Sequence, residues 1–495
     1  MFFILALIIC VAIVITVKKL TKINENYWKN RNVTEVCGTF WNFLKSERPL
    51  ADIYKEVYDN HPNEPYVGVY QGQNPVLIVR DIKNIRYILE GKCQNFHSRG
   101  VLTNSNDLLT DNLLNMEYRP WKCMRFRTTY TFTPGRLMDM FYIIEHCARA
   151  FVEIIEDNKH MRENPFDAIF AYTTGSLSSY IFGINKESTV NIMECPFLDL
   201  TRKLHEPSLK ADIKCLLSIL CPELFKLLKV RLFGEHEYFI EVIKRTMKER
   251  QNDRLIRYDF VDICLWIQRQ GVIHDFEPTS TYELTPTFEL LAAQAFFFFL
   301  CGVDTAANAM HFALLELSYN AKILERVHNE IDEVFEECTE NFTYEDCAKL
   351  KYLDMVLSES LRKYPPVGII QRRCTEDTEL PVGNLKVEEG TFVAIPVYGL
   401  HRDEKFYPNP DVFDPERFAN CKESDPVKYS YLGFGAGYRN CYAERLARIQ
   451  MKSGLAWLLR RFTITEQPPQ PERFERSFFT LRAPTNNYEL VVRDI

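Results

Sequence analysis

The sequence predicts a mainly α-helical protein with small β-sheets. Three observations carry that expectation. Helical periodicity dominates residues 135–270. The run from Leu290 to Leu300 is apolar all round, which places a helix in the middle of a large core. The β-prone runs are short: Tyr66 to Tyr70, Val76 to Val79, Leu385 to Val387 and Thr391 to Val397.

Composition narrows the class. Of the 495 residues, 46% are hydrophobic and 26% charged, which suffices for a large core. A formal net charge of -7 argues against nucleic acid as the main partner. The 15 cysteines are odd in number and scattered, and no C-x-x-C pair occurs. That is neither a disulfide framework nor a zinc-site spacing, and it fits a reducing compartment.

Met1 to Val17 is uncharged and almost wholly apolar, and Lys18, Lys19 and Lys22 follow. The order of apolar run and charge predicts a membrane anchor over residues 1–20, with everything after it in the cytosol. Residues 21–45 read as a linker, and 46–495 as the main domain. Gln71-Gly72-Gln73-Asn74-Pro75 supplies a turn, so the first two strands form a hairpin, followed by a helix from Asp81 to Leu89. Residues 97–116 are polar and irregular, a long loop over a pocket. Trp121 and Arg125 lie four apart on one helix face. Gly175 and Gly183 are expected to interrupt the helical stretch that follows. Residues 195–235 read as a lid or a second surface touching the membrane.

The long helix is expected to start at Thr285-Pro286, as an N-cap followed by an N1 proline. It then carries Cys301-Gly302-Val303-Asp304-Thr305. A glycine, a carboxylate and a hydroxyl together weaken a buried helix, a local violation that marks a functional site. Lys349 to Tyr364 forms another helix, stopped by Pro365-Pro366, with Glu359 and Arg362 on one face. Tyr407 to Phe418 has little regular structure, and Arg417 within it is a candidate tie to Glu359. Finally, Phe434-Gly435-Ala436-Gly437-Tyr438-Arg439-Asn440-Cys441 delivers one cysteine to the start of an apolar helix. Unpaired N–H groups there favour a thiolate.

In this order, Trp121-x-x-x-Arg125, Gly302-x-Asp304-Thr305, Glu359-x-x-Arg362, Pro415-Glu416-Arg417-Phe418 and Phe434-x-x-Gly437-x-Arg439-x-Cys441 resemble the cytochrome P450 superfamily, the haem-thiolate monooxygenases. Phe132-Thr133-Pro134-Gly135 and Leu361-Arg362-Lys363-Tyr364-Pro365-Pro366 look most like the insect microsomal group associated with detoxification. The resemblance implies haem b (iron protoporphyrin IX) between a long central distal helix and a proximal Cys-loop and helix. It makes residues 46–495 the haem-thiolate catalytic domain. Cys441 becomes the axial ligand of the iron, where a thiolate favours O–O cleavage. Trp121, Arg125, Arg372 and Arg439 become holders of the haem propionates. Glu359, Arg362 and Arg417 become a structural triad. Gly302 opens room for O2, Thr305 hydrogen-bonds it, and Asp304 helps deliver protons.

No nicotinamide- or flavin-binding fingerprint occurs in the chain. The resemblance therefore implies NADPH used indirectly, through NADPH–cytochrome P450 reductase and also cytochrome b5, with Lys122, Arg127 and Arg136 as basic contacts. It also implies an endoplasmic reticulum (microsomal) location and a lipophilic substrate. The expected pocket comprises residues 97–116 and 195–235, Phe296 to Phe299, Val367 to Ile370, and Phe478-Phe479. The sequence departs from the family at Tyr438 (usually proline), at Tyr442 after the ligand, at Ala443 (usually glycine) and at Cys301 (usually alanine). It also lacks the proline-rich hinge. Two alternatives stand beside the monooxygenase: a haem-thiolate isomerase or dehydratase, and an inactive haem-binding protein.

Overall fold

A computed structural model describes residues 26–72, 74–183, 192–195, 197–206, 208–252, 258–275, 277, 280–338, 342–419, 429–469, 472–478, 480–482 and 488–493. The anchor expected over residues 1–20 lies outside them, as does Phe479 of the expected pocket. Eight helices build the site: α1 (Tyr118–Thr129), α2 (Phe141–Asp157), α3 (Phe166–Phe182), α4 (Leu198–His205), α5 (Leu209–Leu220), α6 (Phe288–Tyr319), α7 (Lys351–Lys363) and α8 (Glu444–Arg461).

Helix α6 is the axis of the fold. Its 32 residues span about 48 Å. It is long and apolar enough to cross a membrane, but 78% of its most apolar window is buried inside the protein, which makes it a core helix. Its start is two residues later than the sequence suggests. Thr287, not Thr285, is the N-cap, because the Thr287 hydroxyl accepts the Leu290 N–H at 3.2 Å. Helix α3 packs along α6, and every residue from Ala168 to Phe182 is buried. Gly175 does not interrupt α3. A Cβ there would meet Ile192 Cγ2 at 2.8 Å, so the glycine serves close packing instead. Gly183 ends the helix at φ 62°, with its N–H on Ser179 O.

Strands β1 (Tyr66–Gln71), β2 (Asn74–Val79), β3 (Ile370–Arg373) and β4 (Phe392–Ile395) form one sheet in the order β1-β2-β4-β3. The hairpin β1–β2 is antiparallel, as expected, while β2 and β4 run parallel. Pro75 has no N–H to donate, and the β2–β4 ladder begins only at Val76. The helix expected over residues 81–89 is Ile82–Arg86, capped by Asp81 and continued by a wider turn from Tyr87 to Gly91. Residues 26–45, read as linker from the sequence, pack onto this sheet. Trp28 is 1% exposed and donates to Val69 O, and Phe40 and Phe43 are buried.

Within the apolar run of α6, Gln294 is the polar exception. It accepts the Leu113 N–H and donates to Asp111 O, which pins the 97–116 loop over the centre of the molecule. Asp107 of that loop accepts the N–H groups of Leu232 and Phe233, tying it to the roof.

Candidate active site

The loop before α8 is shaped by two glycines. Gly437 has φ 70°, and a Cβ on it would lie 1.9 Å from Leu89 O, so only glycine fits there. Gly435 has φ 72°, and a Cβ on it would make only ordinary contacts, with Asn440 Cα at 3.7 Å and Ile370 Cδ1 at 4.0 Å. The Cys441 N–H closes the loop on Phe434 O at 2.8 Å. Helix α8 begins at Glu444, three residues after Cys441, so the cysteine precedes the helix instead of opening it. Cys441 keeps exposed surface although protein crowds closely around its sulfur, as expected of a thiol that faces an internal hollow. Burial pushes the thiol up, while the Ala443 amide and the guanidiniums of Arg125 and Arg99 pull it back.

Four guanidiniums cluster there and share one wall, Arg99 and Arg125 close to the sulfur and Arg372 and Arg439 beside Arg99. Among the described residues none of them forms a salt bridge with a carboxylate. Arg125 donates to Asn440 O (3.0 Å) and Asn440 Oδ1 (2.9 Å). Arg439 donates to Leu113 O and Met116 O, and its guanidinium stacks 4.4 Å over the Trp121 ring. Arg372 donates to the neighbouring Gln371 O. The Nε atoms of Arg439 and Arg99 are buried without a partner. Burial, then mutual repulsion, pushes Arg439 down to about 9 and lowers Arg372 and Arg99 as well. A bound anion would relieve such crowding, because uncompensated buried charge is costly. Two carboxylates on a flat ligand fit it, and haem carries two.

Trp121, Arg125, Arg372, Arg439 and Cys441 are therefore brought to one place. Arg99 joins them without having been expected from the sequence. Its signal is slight: it is the lone Lys or Arg between residues 97 and 116.

Opposite, on α6, the Thr305 hydroxyl donates to Cys301 O at 2.6 Å. Cys301 and Thr305, four apart, share a face. Burial pushes the Cys301 thiol up to about 12, so it is neutral. Asp304 is held from two sides: Arg482 Nε donates to Oδ2 at 2.9 Å, and Asn308 Nδ2 to Oδ1 at 3.1 Å. Arg482 also donates to His205 O at the end of α4. Gly302 differs from expectation. Its missing side chain faces Leu177 of α3, 2.6 Å from where a Cβ would sit, so it serves helix packing and not space in the cavity. Phe296 to Phe299 also divide. Phe296 packs against Phe233 and Phe239, Phe299 against Phe197, and Phe298 turns towards Phe132 and Tyr442. Consecutive helical residues point about 100° apart, so four in a row cannot line one pocket.

Glu359 and Arg362 are fully buried, not a surface pair. Arg362 grips the carboxylate in a fork at 2.7 and 2.9 Å, and Arg417 Nε reaches it at 3.4 Å. Arg362 also donates to His401 O, and His401 Nε2 accepts the Leu432 N–H at the start of the cysteine loop.

An accessible thiol close to a hydroxyl-bearing central helix, with a cationic wall beside it, fits the class of haem-thiolate oxygenases. The Cytochrome P450 family profile matches residues 35–492. The chain is 33% identical to cytochrome P450 6A1 of Musca domestica, over 95% of this chain and 94% of that one. It is 30% identical to cytochrome P450 6a2 of Drosophila melanogaster, over 89% and 90% respectively. It is 29% identical to cytochrome P450 6k1 of Blattella germanica, over 95% and 93%. The chain belongs to the cytochrome P450 family, and it is accordingly a haem-thiolate monooxygenase that draws on a redox partner and takes a lipophilic substrate.

Proposed function

We propose that the protein is a microsomal monooxygenase that inserts one atom of O2 into lipophilic small molecules, xenobiotic or endogenous lipid or hormone, with electrons from NADPH through a reductase. The observation that carries the reading is exposed Cys441 beside four guanidiniums that have no carboxylate partner among the described residues. Haem, when bound, supplies the oxidising chemistry. Cys441 Sγ is its ligand from the protein. Arg99, Arg125, Arg372 and Arg439 bind its carboxylates, helped by Trp121 beneath Arg439, and a guanidinium's planar fork suits that task. Thr305 Oγ1 already donates to Cys301 O, so what it offers a ligand is its lone pairs as acceptors. Asp304 holds a proton-relay position, its carboxylate oriented by Arg482 at Oδ2 and by Asn308 at Oδ1. Glu359, Arg362 and Arg417 brace the cysteine loop through His401 and take no part in chemistry.

The electron partner is NADPH–cytochrome P450 reductase, with cytochrome b5 as a second donor. Lys122, Arg127 and Arg136 support this reading, because all three line one groove of about 800 Å³ on the outer side of α1. Exposed Phe126, Tyr130, Tyr258 and Trp266 share the groove, and a cationic rim around aromatic residues suits an acidic protein surface. Membrane attachment rests on the apolar run from Met1 to Val17 within the anchor expected over residues 1–20. It is supported by Leu209 and Ile213 of α5 and by Leu227 and Leu228 beyond it, which are exposed on one stretch of the roof.

The test is a carbon monoxide difference spectrum of the reduced protein beside Cys441→Ala. The expected result is a thiolate-type Soret band that disappears in the variant. A histidine-type band in the wild type refutes the ligand assignment. NADPH-dependent product formation with added reductase then separates a monooxygenase from an isomerase.

A further inference from the structure

We propose that the ring of Tyr442 is a positioning residue that holds Arg125 in the anion-binding wall. The proposal rests on the reading of that wall as the haem-carboxylate site. Arg125 is held along one edge and over one face. Its NH1 and NH2 groups both bind Asn440, at the main-chain O and at Oδ1, which fixes one edge of the guanidinium. The flat face then lies 4.4 Å from the centre of the Tyr442 ring. A guanidinium over an aromatic face in an enclosed site is a strong cation–π arrangement. Asn440 and Tyr442 flank Cys441 in sequence, so the two residues on either side of the sulfur clamp the same cation.

The ring itself cannot drift. Phe132 meets it edge-on at 4.9 Å and Phe298 of α6 packs at 5.4 Å. Tyr442 thus joins the cysteine loop to α1, to the turn after it and to the central helix. The hydroxyl contributes little. It lies beside Thr128, whose own hydroxyl donates to Met124 O, and it is buried without a well-formed hydrogen bond. The useful part of the side chain is therefore the ring. Arg439 shows the same device on the other side of the wall, stacked 4.4 Å over Trp121. The arginine on α1 is held by a ring from the cysteine loop, and the arginine of the cysteine loop by a ring from α1.

Without the ring, Asn440 alone holds Arg125, and repulsion from Arg99 and Arg439 drives the guanidinium away from the ligand. Haem should then be held less tightly, and the reduced state, which carries one more negative charge, should be less favoured.

The experiment uses full-length haem-loaded protein in wild type, Tyr442→Phe, Tyr442→Leu, Arg125→Ala and the Arg125→Ala/Tyr442→Leu double variant. Haem loss is followed by transfer to excess apomyoglobin, and the midpoint potential by redox titration. Tyr442→Phe should match wild type in both. Tyr442→Leu should lose haem about ten- to thirty-fold faster, with a lower potential. In the Arg125→Ala background, Tyr442→Leu should add nothing further. An equal effect of Tyr442→Leu in both backgrounds would mean packing alone and would overturn the proposal, as would a Tyr442→Phe variant as impaired as Tyr442→Leu. Absence of a thiolate-type band in wild type refutes the haem reading itself, whereas wild-type haem retention with no loss in Tyr442→Leu refutes the Tyr442 proposal alone.

Discussion

Replacing Glu359 with alanine strips the Arg362 guanidinium of its carboxylate while leaving it fully buried. In the native protein, Arg362 Nε and NH2 meet the two carboxylate oxygens at 2.7 and 2.9 Å, and both side chains are 0% exposed. What remains to Arg362 after the change is neutral: His401 O at 2.8 Å and Pro410 O at 2.7 Å. The same substitution also orphans the Asp414 N–H, which donates to Glu359 at 2.9 Å, and releases Arg417. Breaking one side of a buried pair costs about 3–5 kcal/mol, because a buried charge is left uncompensated. Glu359→Gln keeps the shape and one acceptor oxygen but turns charge-assisted bonds into neutral ones, a loss of about 2 kcal/mol. Urea unfolding followed by tryptophan fluorescence reads both. At a slope of about 3 kcal/mol per molar urea, the alanine variant should unfold about 1 M earlier than wild type. Lys159→Ala, which removes an exposed pair with Glu163, should leave the midpoint in place. The reasoning fails if Glu359→Ala unfolds within about 0.3 M of wild type, well inside the shift expected from that slope.

Three further outcomes are expected. Burial holds His401 and His311 down to about 3, far below the ordinary histidine value, so the folded protein refuses protons that the unfolded chain accepts. The unfolded state binds more protons as pH falls from about 6.5, so stability should drop towards acid by up to about 1.4 kcal/mol per pH unit per histidine; urea midpoints at pH 5 and 7 measure it, and unchanged midpoints refute it. Gly437→Ala would place a Cβ 1.9 Å from a backbone carbonyl at φ 70°, so haem-loaded protein should not accumulate, while Gly135→Ala, with nothing within 4 Å, should behave as wild type in the carbon monoxide spectrum. Asp304→Asn should slow product formation about a hundredfold with that spectrum intact, as expected for loss of one proton-transfer group; a rate within twofold of wild type, well short of that loss, would remove Asp304 from the relay.

The sequence by itself determined the elements that depend on neighbouring residues. The β1–β2 hairpin follows from its turn residues, α6 from an apolar run too long for a strand, and the cysteine loop from its two glycines. The family motifs were legible for the same reason, since each is a short spacing along one element. Tertiary structure decided what those residues touch. Gly302 faces Leu177 and not the cavity, because the position of α3 against α6 is set by packing between helices 125 residues apart in sequence (302 less 177). Arg482, whose residue number gives no hint of a link to Asp304, reaches it only when the C-terminal segment lies across α6. Arg99 and Asn440 enter the site through loops whose paths no local periodicity predicts. A motif names a residue and its chemistry, but the direction of its side chain depends on which element packs beside it, and that is settled by burial across the whole chain.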